Sequence, residues 1–152
     1  SCGETTHGDR SMRDLELALK AAGDPTRTRI LKLLEGGGLC VCQVQAVLGL
    51  APSTVSKHLA ILKTARLVED KRDGKWIEYA LSAQRHNAHA EAVLAMLRGA
   101  LDRDPTVVAD RRRLREVRSV PLDELCGILP ARFGAPAGSG RRRQVGKDRQ
   151  HV

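Results

Sequence analysis

The chain has 152 residues, enough for one domain with flanking segments and a real hydrophobic core. Hydrophobic residues make up 41% and charged residues 29%, ordinary for a globular chain. The formal net charge of +8 points to a polyanionic partner; with one Trp, one Tyr and one Phe there is no aromatic platform for stacking single-stranded bases, so a duplex is favoured if that partner is nucleic acid.

No run of 18 apolar residues is present, and the first residues lack the basic, apolar and small-residue regions of a signal peptide. The expectation is a cytoplasmic protein with no membrane partner. Four cysteines in such a chain read as thiols for metal or redox chemistry rather than as a disulfide framework.

Residues 1–11 are polar and aperiodic, a flexible N-terminal arm. Leu15, Ala18, Leu19 and Ala22 recur at helical spacing and predict a first helix over 12–22 with one apolar face. Asp24-Pro25 opens a second helix, Asp24 as N-cap and Pro25 at its first position, running to about Glu35. Gly36-Gly37-Gly38 then makes a joint directly before Cys40-Val41-Cys42. A third helix is expected from about Cys40 to Leu48, with Val44, Val47 and Leu48 inward. Gly49-Leu50-Ala51 turns the chain. Pro52 starts a fourth helix to about Ala65, with Val55, Leu59 and Leu62 buried and Ser53, Thr54, Ser56, Lys57 and Lys63 outward.

Over 68–81 the period changes to two, with Asp73-Gly74 as the turn of a hairpin and Lys71, Arg72 and Lys75 crowding its tip. Residues 84–101 return to a helical pattern, and their apolar face is broad enough to call for a partner. Asp104-Pro105 restarts a helix to about Arg118, strongly basic at Arg111-Arg112-Arg113. Residues 121–129 suit a short amphipathic helix. From Ala131 the Gly/Pro/Arg-rich composition reads as a disordered basic tail. The divisions are therefore 1–11, a 12–101 DNA-binding and dimerisation domain, a 102–130 helical extension, and 131–152.

Three helices, a turn, a fourth helix, a basic hairpin and a long helix make a mainly α chain with a small β-hairpin, a winged helix-turn-helix. Ala22-Gly23-Asp24-Pro25-Thr26-Arg27-Thr28-Arg29-Ile30-Leu31, Leu39-Cys40-Val41-Cys42, Ser53-Thr54-Val55-Ser56-Lys57-His58-Leu59 and Arg72-Asp73-Gly74-Lys75-Trp76-Ile77-Glu78-Tyr79 carry a resemblance to the ArsR/SmtB family of metal-responsive repressors. It covers about residues 12–101 and implies a homodimer joined through the first helix and the long helix after the wing. Two positions depart from the family pattern. Ala51 stands where a polar N-cap is common, and Gln45 stands where some arsenic sensors carry a third cysteine.

Thiolates are soft ligands, suited to As(III), Sb(III), Cd(II), Pb(II) or Zn(II). A helix N-terminus favours the thiolate and should lower a cysteine's pKa there. Cys40 and Cys42, as residues i and i+2 of a regular helix, would point about 200° apart and could share one ion only if the first turn is distorted. Against that reading, either cysteine could be a small core filler. Cys2 lies on an arm that could reach the site. Cys126 shares one helical face with Leu122 and Leu129, so packing explains it without a metal; whether either supplies a third ligand stays open. His86 and His89 do not match the pattern of the family's zinc sensors and read as solvated or interfacial.

The recognition helix offers Ser53, Thr54, Ser56 and Lys57 to base edges and phosphates, with His58 divided between core and DNA. Lys71, Arg72 and Lys75 suit phosphate or minor-groove contact. The sequence thus leads to a homodimeric repressor bound to double-stranded operator DNA at an inverted repeat, released when As(III) or Sb(III) binds Cys40 and Cys42. The alternatives are a repressor of the same fold responding to Cd(II), Pb(II), Zn(II) or thiol oxidation, a Cys-x-Cys dithiol redox enzyme, and a constitutive DNA-binding protein.

Overall fold

The computed structural model describes residues 11–83 and 88–133. Seven helices and three strands are present among them: α1 Met12–Ala22, α2 Pro25–Leu34, β1 Leu39–Cys40, α3 Val41–Leu48, α4 Pro52–Thr64, β2 Val68–Asp73, β3 Trp76–Leu81, α5 Ala88–Leu97, α6 Pro105–Arg118 and α7 Leu122–Phe133. The expected arm over 1–10, residues 84–87 with His86, and most of the expected tail (134–152) lie outside the described residues. Helix α7 runs two residues past the position where the tail was expected to start.

Local chemistry starts the helices where the sequence suggests. The Asp24 carboxylate accepts a hydrogen bond from Arg27 N at 3.0 Å, and Pro25 occupies the first turn, where its missing N–H costs nothing. The same Asp-Pro device recurs at α6, where Asp104 accepts from Thr106 N and Val107 N. Backbone hydrogen bonding by Arg27 holds the Asp24 carboxyl below the usual carboxylate range. Replacing Asp24 by alanine should lower the unfolding free energy by about 1 kcal/mol, read from a urea titration. An unchanged midpoint would mean that Pro25 alone fixes this helix start. Helix α4 has no such cap: Ala51 is extended and offers no side-chain hydrogen bond.

The hairpin is one residue out of the expected register. Asp73 pairs with Trp76, so the two-residue connection is Gly74-Lys75 rather than Asp73-Gly74. Gly74 takes a φ of +59°, the left-handed region that the first position of such a turn needs and glycine supplies. A third strand, β1, pairs antiparallel with β3, giving the order β1-β3-β2. Its two residues are too few to show a period in sequence.

The core forms between α2, α3, α4 and the base of the sheet. Ile30, Leu31, Leu33, Val44, Val47, Val55, Leu59 and Leu62 are all buried. Helix α1 departs from expectation. Ala18 and Ala21 face the core, while Leu15 and Leu19 are exposed together with Met12. The apolar face read from sequence is thus split, one side packed and one side bare. On α5, Ala90, Val93 and Leu97 are buried and Met96 is exposed.

Helices α6 and α7 fold back on the domain, α6 against α2 and α3, α7 against α3. The basic residues of α6 turn out to be fasteners. Arg29 of α2 grips the buried Asp110 through two 2.7 Å hydrogen bonds. Lys32, fully buried, reaches Glu35, Asp102 and Leu97 O, while Arg111 bonds the same Glu35 and Asp102. Arg113 donates to Val47 O and Arg118 to Gly36 O. Each charge removed from water is paired, as burial requires.

Candidate functional site

Cys40 and Cys42 sit on a junction rather than on one helix. Cys40 is the last residue of β1 and the N-cap of α3, with extended backbone (φ −80°, ψ 158°). It pairs with Glu78 of β3, and its N–H is bonded by Gln43 Oε1 at 2.9 Å. Cys42 lies in the first turn of α3. The expected helix start at Cys40 is corrected by one residue, and the 200° separation expected of a regular helix does not govern the pair. The glycines ahead of the pair are packed. Arg118 holds Gly36 O, and the Glu78 carboxyl group lies over Gly38, where a Cβ would oblige the Glu78 side chain to move.

Two expectations about the thiols are overturned. Cys42 is not free: it is joined by a disulfide to Cys126 of α7, with a Cα–Cα distance of 5.6 Å. Four cysteines expected as thiols thus include one cross-link. It forms because α7 lies along α3 and turns Cys126 onto its first turn, a tertiary contact between residues 84 positions apart. Cys40 is the free cysteine among the described residues, and it is buried. Its thiol pKa is raised rather than lowered, chiefly by burial and further by the carboxylates of Glu78 and Asp73, which outweigh the helix N-terminus. Among the described residues, no group of three or more His, Cys, Asp or Glu side chains stands ready as a metal cage.

One further residue was missed. Gln45 stands one turn beyond Cys42 on the same side of α3, buried, with its Nε2 lacking any hydrogen-bond partner. Sequence reading gave it weight only as an absent cysteine.

The polar residues of α4 point outward. Ser53, Ser56 and Lys57 are exposed and Thr54 is half-buried, while Val55, Leu59 and Leu62 anchor the opposite side. His58 is half-buried, with its Nδ1 3.5 Å from Arg27 Nη1, so it leans on the start of α2. At the wing tip Lys71 and Arg72 are exposed. Lys75 lies 5.0 Å from the Trp76 ring centroid and pairs with Asp123 of α7. Helix α7 therefore touches both the cysteine junction and the wing.

An outward polar helix following a short helix and turn, beside a basic hairpin, defines a winged helix-turn-helix protein. Residues 24–70 match the family described as bacterial regulatory protein, arsR family. The arsenic resistance transcriptional regulator ArsR1 of Pseudomonas putida is 35% identical over 107 residues, covering 69% of this chain and 80% of that one. The HTH-type transcriptional regulator CmtR of Mycobacterium bovis is 41% identical over 102 residues, 66% of this chain and 86% of that one. The chain belongs to the arsR family of bacterial regulatory proteins. Its relatives are transcriptional regulators rather than enzymes. A solved structure, the homodimeric winged helix-turn-helix DNA-binding domain Mb0332 of Mycobacterium bovis, is similar at 25% identity and a TM-score of 0.50, covering 61% of this chain and 82% of that one. No helix among the described residues is long and apolar enough to cross a membrane.

Proposed function

We propose that the chain is a homodimeric repressor that binds an inverted-repeat operator in its inducer-free form and lets go when As(III) or Sb(III) is captured at Cys40 and Cys42. The observation that carries this reading is where the pair lies. Cys40 belongs to the strand hydrogen-bonded to wing strand β3, Cys42 to the helix that leads through Gly49 into α4. A ligand pulling these two residues together acts on both the wing and the recognition helix. The inducer weakens DNA binding to the extent that it prefers the released conformation. Membership of the family, and the arsenic regulator among the relatives, support the choice of inducer. Bare Met12, Leu15 and Leu19 on α1 and Met96 on the adjoining α5 support a second copy as the partner of that face.

Ser53, Thr54, Ser56 and Lys57 are the base- and phosphate-reading residues in this scheme, with Lys71, Arg72 and Lys75 on the wing and His58 steadying α4 against Arg27. Lys57→Ala should weaken binding to a cognate duplex about tenfold and reduce the slope of log affinity against log salt by about one per protomer. A variant with wild-type affinity and slope would remove Lys57 from the interface.

Titrating the reduced, DNA-bound protein with arsenite, antimonite and Cd(II), and repeating with Cys40→Ser and Cys42→Ser, tests the inducer. Release by arsenite that is lost in both variants is the expected result. Release that survives the double substitution, or that only Cd(II) produces, rejects it. The Cys42–Cys126 bond favours a second reading, control by thiol oxidation. In that case peroxide alone, with no arsenic, changes operator affinity.

A further inference from the structure

We infer that Cys126 is a ligand of the inducer site: once the disulfide is reduced, one trivalent arsenic atom is held by Cys42 and Cys126 across the α3–α7 junction, with Cys40 as the third sulfur. The inference rests on the reading that this chain senses a thiophilic inducer. It adds a ligand and an element that the reading does not contain.

The Cα atoms of Cys42 and Cys126 are 5.6 Å apart, so both sulfurs are within reach of a single atom between them. The pair comes from two different elements, and the buried neighbour Leu125 seats α7 where Cys126 meets α3. Cys40 stands two residues before Cys42 on extended backbone, at the same end of α3. Gln45, one turn further on, brings a buried Nε2 without a partner, a donor suited to a thiolate sulfur. In the disulfide state the cage is closed; reduction opens it.

The chemistry balances without an oxidant. An external dithiol takes the disulfide to two thiols and becomes a disulfide itself. Arsenous acid then exchanges three As–O bonds for three As–S bonds. Each thiol proton leaves with a hydroxide as water, and arsenic stays trivalent. An arsenic atom between Cys42 and Cys126 sets the sulfurs further apart than a bond holds them, and with that bond broken α7 is free to shift on α3. Because Asp123 of α7 pairs with Lys75 at the wing tip, that shift is felt by the wing.

The test uses the reduced full-length chain, sodium arsenite, and a duplex that the inducer-free protein selects from a random pool. Arsenic X-ray absorption should report three sulfurs for the wild type and for Cys2→Ser, and two for Cys126→Ser. The arsenite concentration for half-release should rise roughly tenfold or more in Cys126→Ser, while its inducer-free DNA affinity stays at the wild-type value. Three sulfurs in Cys126→Ser, or release at the wild-type concentration, overturns the role of Cys126 and leaves the arsenite repressor standing. A wild type that neither binds arsenite nor releases DNA overturns the parent reading and this one with it. X-ray absorption counts ligands directly, so it decides the matter even where Cys126→Ser loosens α7.

Discussion

Reducing the Cys42–Cys126 disulfide should lower the free energy of unfolding by about 4 kcal/mol. The bond closes a separation of 84 residues, which includes α4, both wing strands, α5 and α6. Confining an unfolded chain that long removes much of its entropy, and the loop-entropy relation gives roughly 4–5 kcal/mol before any change in the folded state. Among the described side chains, little else holds α7 beyond Leu125 and Leu122, the latter packed partly buried against the core. Leu125 is buried, but the Asp123–Lys75 pair is exposed, and exposed pairs contribute about 0–1 kcal/mol. The reduced chain should therefore lose α7 first. Its amides should exchange with solvent well ahead of those of α6, which has its own fasteners. Urea denaturation with and without dithiothreitol reads the global effect, and Cys126→Ser without reductant should match the reduced wild type. A wild-type midpoint indifferent to dithiothreitol would show that the cross-link contributes nothing to stability.

Much of this architecture is legible in the residues, because the informative signals are local. Asp24-Pro25 and Asp104-Pro105 mark helix starts through their own side chains, and the stripe Val55, Leu59, Leu62 gives the buried side of α4 directly. The outward set Ser53, Ser56 and Lys57 follows from the same period. What sequence could not give is what depends on partners far along the chain. Strand β1 is two residues long and exists because β3 lies beside it. The arginines of α6 look like a charge run until Glu35, Asp102, Val47 O and Gly36 O are seen to receive them. Cys126 has a helical phase that packing explains, and nothing in its neighbourhood points 84 residues back to Cys42. The pKa of Cys40 went the wrong way for the same reason. The helix start is local, whereas the burial that chiefly raises it, and after that Glu78 across the sheet, come from the tertiary fold.

Asp110→Ala should cost about 3 kcal/mol and detach the C-terminal arm from α2. The Asp110 side chain is only 7% exposed, and both its oxygens are taken by Arg29, Nε on one and Nη2 on the other, each at 2.7 Å. Those hydrogen bonds push the Arg29 guanidinium pKa up. Removing one member of a buried pair costs about 3–5 kcal/mol, mostly because the other charge is left without its partner. Arg29 retains 31% side-chain exposure and can recover some water, so the lower end of that range applies. If the penalty is the stranded charge, removing both charges should largely erase it: Arg29→Met with Asp110→Leu should unfold near the wild-type midpoint. Urea titrations of the single and double variants separate the two causes. A single variant within about 1 kcal/mol of wild type would mean that Val107, Leu114 and Val117, with the Arg111, Arg113 and Arg118 bonds, seat α6 without the Arg29–Asp110 pair. A double variant as weak as the single one would mean that the bidentate geometry, rather than charge balance, holds α6 in place.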